Sequence, residues 1–254
     1  MSELFSLVLL ALVQGIAEWL PISSSTHVLL VGKLIGYDVN VLLAGALHLG
    51  TLMAVCVYFG MDLVDGLRQL VSGRWRASEA RLLLLVGLAS IPAGLLGFLL
   101  RNSLSYTNTG LLALGLGITS LILFVGSRAP RRAQALTWRS AGLIGLGQVL
   151  ALFRGVSRSG STIAPALWLG LSEREAVKFS YLLSIPIILG TNIISLGTQT
   201  LPSSLFIATL VAFGVGTVGI HFSFTRILHD RRNLRWFALY TGLLAVCLVV
   251  YSLR

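Results

Sequence analysis

The sequence predicts an all-α polytopic membrane protein: six transmembrane helices plus two re-entrant helix–loop–helix hairpins, arranged as an inverted repeat. Three observations lead there. The chain is 56% hydrophobic and only 11% charged, where a soluble domain carries about 25% charged residues. Six apolar runs, roughly 41–60, 81–100, 109–126, 178–197, 204–222 and 235–253, approach or reach the ~20 residues needed to cross a bilayer as helix. Two further apolar stretches, 4–36 and 140–171, are broken by polar clusters.

Loop charges orient the runs. Segment 62–81 holds Arg68, Arg74, Arg76 and Arg81; segment 127–139 holds Arg128, Arg131, Arg132 and Arg139; segment 226–235 holds Arg226, Arg231, Arg232 and Arg235. Segment 101–108 carries Arg101 alone, and 197–203 carries no charge. The positive-inside rule puts the first three in the cytoplasm and the last two outside. The 32 residues of 140–171 must then start and finish inside, and two full spans with a turn need ~40 or more. This segment is expected to dip in and return, with Gly155, Ser157 and Gly160 near its tip. Irregular backbone at that depth has to be buried in protein or line a polar cavity.

The N-terminal stretch echoes it. At an offset of 134, Gln14 aligns with Gln148, Trp19 with Phe153, Ile22 with Val156, Ser23 with Ser157, Ser25 with Ser159 and Gly36 with Gly170. Ser90-Ile91-Pro92 and Ser184-Ile185-Pro186 form a second echo. The whole chain, 1–254, reads as a single membrane domain, with repeat one at about 1–126 and repeat two at about 140–253. One hairpin enters from each face, the plan that sets a site near the midplane, and both termini are then external. The rival is a single span at 4–36 with a cytoplasmic N-terminus.

Composition excludes other classes. The net charge of +10 sits in short loops between apolar runs, so nucleic acid is not an expected partner. Glu3 stands where a removable signal peptide has its basic region. Cys56 and Cys247 are isolated in apolar runs, with neither metal nor disulfide spacing.

Ionisable groups deep in apolar segments mark function by default. Glu18 is the acidic example; Arg154 and Arg158 are the basic ones. All three fall in the two broken stretches. Gln14 and Glu18, four apart, share a helix face and offer hard oxygen ligands for a divalent cation such as Mg²⁺ or Ca²⁺. Pro21 ends that helix, and Ser23 to Thr26 form a hydroxyl-rich turn. His27 lies three residues past Ser24, within reach as a base; the plainer reading makes Ser an N-cap and His27 a bundle hydrogen bonder. In the second stretch, Gly155, Ser157, Ser159, Gly160 and Thr162 precede or open a helix, offering N–H groups and hydroxyls to an anion. Arg158 adds a fork matched to phosphate. A small-residue packing surface is the alternative there. His48 on the run 41–60 reads as a bundle hydrogen bonder, and His221 and His229 as solvent- or headgroup-facing. The combination points to phosphoryl transfer or phosphate binding on a substrate with a lipid tail.

These residues resemble the undecaprenyl-diphosphate phosphatase family associated with bacitracin resistance. The motif (E/Q)xxxE followed by a Ser-rich turn and a His is matched by Gln14, Glu18, Ser24 and His27. The motif PGxSRSxxT is matched by Gly155, Ser157, Arg158, Ser159 and Thr162. The resemblance covers essentially the whole chain. It implies release of the terminal phosphate of undecaprenyl diphosphate, divalent-cation dependence, and residence in the bacterial plasma (inner) membrane with a site opening to the outer face. It also implies Ser24 as nucleophile with His27 as base, or His27 as nucleophile. Arg158 would bind the diphosphate and Glu18, with Gln14, the metal. Ser23, Arg154, Ser157, Ser159, Gly160 and Thr162 complete the expected substrate-binding set. Two departures stand out: Arg154 replaces the family proline, and Gln14 takes the uncharged option. A transporter or flippase of a polyprenyl phosphate lipid is the alternative function, and an anion channel a weaker third. The sequence leaves a homodimer open.

Overall fold

The computed structural model describes residues 2–100, 108–196 and 202–253. The described chain is helical: α1 (Glu3–Ala17), α2 (Ser24–Ile35), α3 (Val41–Tyr58), α4 (Gly60–Val71), α5 (Ser78–Leu99), α6 (Thr109–Gly126), α7 (Trp138–Gln148), α8 (Arg158–Trp168), α9 (Glu173–Leu196), α10 (Ser203–Phe222) and α11 (Leu234–Ser252). Side-chain caps start several of them. The Asn40 and Asn108 side chains accept from the N–H groups of Leu43 and Leu111, at 2.9 and 2.8 Å. Thr137 and Ser140 form a capping box at α7, satisfying N–H groups that have no partner within the helix. Six helices, α3, α5, α6, α9, α10 and α11, are long and apolar enough to cross a membrane. They correspond to the six apolar runs. Helix α9 starts at Glu173 rather than near 178 because its first turns are polar yet helical, anchored by Lys178 on Asp62 of α4 at 2.5 Å. The expected outer loops, 101–108 and 197–203, lie largely outside the described residues.

The bundle is apolar outward and polar inward. Ile91, Leu95, Leu121, Phe206, Leu243 and Val246 are exposed, whereas Gln14, Glu18, Thr51, Thr119, Ser180 and Thr241 are buried. That inversion is what a hydrocarbon solvent selects, since apolar side chains gain nothing by hiding from lipid. Packing pairs the elements: α1 lies on α10 and α7 on α5, while α3 meets α9 and α6 meets α11. Close approach is built in at Gly145, where a Cβ would stand 2.4 Å from the Ala89 carbonyl oxygen. Trp19 and Tyr181, fully buried and edge-to-face with centroids 5.1 Å apart, join the N-terminal segment to α9.

Helix α4 was not expected; the sequence reading treats 62–81 as a loop. Met61, Leu67 and Val71 are exposed on it, beside Asp62, Asp65 and Arg68. This amphipathic pattern suits an interface-lying helix. Gln69 locks it to α5, donating to Glu79 at 2.9 Å and accepting from the Ala80 N–H at 3.0 Å.

Candidate active site

Both broken stretches are helix–turn–helix units. Helix α1 ends at Ala17, ahead of Pro21, and α2 starts at Ser24. Between them Ser23 takes a left-handed conformation, φ 68°, which is uncommon for a residue other than glycine and of the kind that collects at functional sites. Its hydroxyl lies 3.0 Å from the Thr26 hydroxyl and does not cap α2. In the second unit α7 gives way to a short 3₁₀ turn, Val149–Leu152, and α8 starts at Arg158. Gly155 sits at φ +92°, and a Cβ there would meet the Leu112 carbonyl oxygen at 2.5 Å. Only glycine lets this turn press against α6. Thr119 of α6 clamps the turn from the other side, donating to the Gly155 carbonyl at 3.1 Å and accepting from the Ser157 N–H at 2.9 Å.

The two turns meet at Glu18. Arg158 Nη2 donates to Glu18 Oε1 at 2.6 Å, joining residues from opposite halves of the sequence. The Ser24 hydroxyl donates to Glu18 Oε2 at 2.5 Å. Gln14 Nε2 donates to the same oxygen at 3.0 Å and lies 3.0 Å from His48 Nδ1. Arg158 Nη1 is held by the Ser180 carbonyl at 3.0 Å, and the Ser159 hydroxyl donates to the Leu20 carbonyl at 3.2 Å, a second tie between the turns. Glu18 thus touches the first residue of α2 and the first residue of α8. Helix N-termini carry partial positive charge, so the start of α2 and the Arg158 guanidinium both favour the charged carboxylate. A phosphate group has the same electrostatic demands. Burial protects the centre, while half-buried Ser24 and His27 and exposed Ser25 leave one side accessible.

His27 is placed differently from its sequence spacing. Its Nδ1 lies 2.9 Å from the Ser23 carbonyl oxygen, which can only accept, so Nδ1 carries the proton. Nε2 then accepts from the Tyr240 hydroxyl of α11 at 2.7 Å. Both ring nitrogens are engaged away from Ser24, because helical side chains lean toward the N-terminus of their helix and this one meets the strained Ser23 backbone. The Ser24 proton faces Glu18 instead.

The remaining expected residues separate into two groups. Ser157, Ser159 and Thr162 are buried and build the start of α8: Ser157 Oγ accepts from the Gly160 N–H at 3.2 Å, and the Thr162 hydroxyl lies 2.7 Å from that of Ser180. Arg154 is exposed ahead of the turn. Tyr240, Tyr181 and Thr119 contact the site residues and were not singled out from sequence; His48, read there as a bundle hydrogen bonder, lies 3.0 Å from the Gln14 amide nitrogen. Tyr181 supports the first turn by donating to the Trp19 carbonyl at 2.6 Å.

Among the described residues no three His, Cys, Asp or Glu side chains cluster as a metal cage. The Glu18 carboxylate and the Ser24 hydroxyl are hard oxygen donors, whereas Gln14 turns its amide nitrogen to Glu18. That set fits a cation which keeps one or two protein ligands and takes the rest from substrate phosphate and water, as Mg²⁺ does.

The family model described as "Bacitracin resistance protein BacA" matches residues 7–247. The chain belongs to the BacA family. Curated relatives agree with that membership. An undecaprenyl-diphosphatase of Mycobacterium ulcerans (strain Agy99) is 35% identical, covering 95% of this chain and 94% of its own. One from Idiomarina loihiensis is 36% identical, covering 85% of this chain and 87% of its own. One from Mycobacterium tuberculosis (strain H37Rv) is 32% identical, covering 97% and 93%. The matched residues include both turns and the Glu18 centre.

Proposed function

We propose that this chain is an integral membrane hydrolase that converts undecaprenyl diphosphate to undecaprenyl phosphate and inorganic phosphate, recycling the lipid carrier of cell-wall synthesis. Family membership and the full-length relatives support the reaction. One observation supports the site: a single carboxylate that touches a serine hydroxyl at 2.5 Å and an arginine at 2.6 Å, each opening a helix.

The chemistry follows from those contacts. Ser24 Oγ attacks the terminal phosphorus, and Glu18 accepts its proton. The bridging P–O bond breaks, and undecaprenyl phosphate leaves. Water then cleaves the phosphoserine, releasing inorganic phosphate and restoring the hydroxyl. Arg158 releases Glu18 to hold the incoming phosphate oxygens, its second nitrogen still fixed on Ser180. His27, expected from sequence as the base, is held on the Ser23 carbonyl and the Tyr240 hydroxyl instead and positions the turn that carries Ser24. Glu18, with Gln14 once its amide is turned to present the oxygen, would hold a divalent cation, which supplies charge neutralisation of the phosphate oxygens. Ser23, Arg154, Ser157, Ser159, Gly160 and Thr162 shape the phosphate pocket, most of them by positioning the start of α8.

The same reading includes topology. The two helix–turn–helix units are re-entrant hairpins of an inverted repeat, supported by the matching pairs α1 on α10 and α7 on α5. Loop arginines support a plasma-membrane orientation with both termini and the site opening outside. Phosphate release from undecaprenyl diphosphate in detergent tests the activity, with and without chelator. Wild type should release phosphate; Ser24→Ala, His27→Ala and Arg158→Ala should each lose at least ~10²-fold. Undiminished release by all three sinks the site, and lipid translocation without release by wild type sinks the phosphatase. Failure of Ser2→Cys to react with an impermeant thiol reagent in sealed cells rejects the orientation.

A further inference from the structure

Away from the Glu18 centre, α6 and α11 lie side by side, tied by the Ser120 hydroxyl, which donates to the Ala238 carbonyl at 2.7 Å. An apolar groove of about 670 Å³ runs along this seam, lined by Gly117, Leu121, Phe124, Trp236, Leu239 and Leu243, with Arg235 at one end. One helical turn beyond Phe124, a second hollow of about 280 Å³ is lined by Ser127, Arg128, Arg131, Arg231 and Arg232. The two hollows share no lining residue with the Glu18 centre.

The arginines at this end are not neutralised. Arg131 and Arg232 share Asp230, at 3.5 and 2.8 Å, and Arg231 pairs with Glu173 at 2.8 Å. Arg128 and Arg235 make no ion pair among the described residues. Their guanidinium groups rest on aromatic rings, 4.2 Å from the Phe124 centroid and 5.1 Å from that of Trp236. Stacking of this kind leaves the edge N–H groups of a guanidinium available to an anion. Five arginines therefore stand beside two carboxylates, Asp230 and Glu173, at the end of the apolar groove.

We propose that this seam is a lipid site: a hydrocarbon tail lies along α6 and α11, and an anionic phosphate headgroup meets the arginines at its end, Arg235 of the groove and Arg128 of the neighbouring hollow. Charge complementarity selects the headgroup, since arginine forks match phosphate oxygens and basic pockets between membrane helices hold anionic headgroups. The groove selects a lipid over a free anion. The arginine end coincides with the basic loops, so the occupant comes from the leaflet that those loops face.

Native mass spectrometry of the purified chain tests this, with dioleoylphosphatidylglycerol, dioleoylphosphatidylcholine or inorganic phosphate added separately. The phosphatidylglycerol adduct should exceed the phosphatidylcholine adduct by about tenfold, the size of one charge-assisted hydrogen bond. Arg128→Gln with Arg235→Gln should level the two. Gly117→Leu, whose Cβ faces open space, should fill the groove and weaken both adducts. Equal retention of the two lipids by wild type overturns the proposal even if no variant folds. Displacement of phosphatidylglycerol by millimolar inorganic phosphate reduces the site to a free-anion site and overturns the lipid assignment. A lipid-free dimer that Gly117→Leu dissociates gives the seam to a second copy of the chain, and also overturns it.

Discussion

Replacing Glu18 by glutamine keeps the shape of the side chain and removes its charge, which tests two of its assigned duties; the third, holding the cation, is kept constant by assaying at saturating Mg²⁺. The first is structural. Glu18 and Arg158 are in contact at 2.6 Å with side-chain exposures of 6% and 15%. Removing one member of a buried pair costs about 3–5 kcal/mol. Arg158 keeps its Ser180 carbonyl and some water, so the lower figure applies, and about 3 kcal/mol lowers the melting temperature by roughly 6–12 °C in a chain of this size. Fluorescence of buried Trp19 against temperature reads that loss. The second duty is chemical. The Ser24 hydroxyl points at Glu18, and loss of a general base slows phosphate release by about 10²–10⁴-fold. A double variant separates the two explanations, because groups that act as a unit are not additive. Ser24→Ala with Glu18→Gln should be no slower than Ser24→Ala alone. Multiplied losses in the double variant, or release by Glu18→Gln within threefold of wild type below its melting point, would refute the assignment of Glu18 as base.

Further outcomes follow from single contacts. Tyr240→Phe removes the donor to His27 Nε2 and should slow release by roughly 2–10-fold, the worth of one ordinary hydrogen bond, with melting temperature unchanged; a wild-type rate means that Tyr240 does not orient the imidazole. Gly155→Ala meets both an unfavourable φ and the Leu112 carbonyl, and should destabilise by at least about 1–3 kcal/mol, seen as an earlier melt and little active protein. Chelation should abolish release while leaving the melting curve in place, and Mg²⁺ should restore it; a collapsed fold would make the cation structural. Arg232 beside Asp230 lowers the Asp230 carboxyl from 3.8 to about 2. Its contribution to stability is therefore full above about pH 4 and lost as pH falls through 2. Asp230→Asn should accordingly lower the melting temperature at pH 7 and make little difference near pH 2.

Much of this was legible from the chain itself. The six spans follow from apolar length, and the two broken stretches from the polar clusters that interrupt them. Glu18 and Arg158 declared themselves because ionised groups are costly at depth, and they prove to be bonded to one another. What spacing did not show is where side chains turn. Ser24 and His27 are three apart, yet Ser24 faces back to Glu18 while His27 reaches Ser23 and α11. That outcome depends on the left-handed Ser23 backbone and on Tyr240, 213 residues away in sequence. Thr119 and Tyr181 were silent for the same reason: a hydroxyl in a span looks alike whether it bonds its own helix or clamps another. Helix α4 was overlooked because its apolar residues are too few to span, and a filter tuned to length discards a helix that lies flat.

The contact between Glu18 and Arg158 is also a mechanical strut between two halves of the chain. When an incoming phosphate takes the guanidinium, that strut is removed at the moment the substrate enters, and the substrate itself becomes the bridge. The Ser159 hydroxyl on the Leu20 carbonyl and the Tyr181 hydroxyl on the Trp19 carbonyl keep the two halves joined meanwhile. On the proposed mechanism the internal carboxylate competes with phosphate for the same arginine in every turnover, so the resting ion pair would favour release of the spent phosphate.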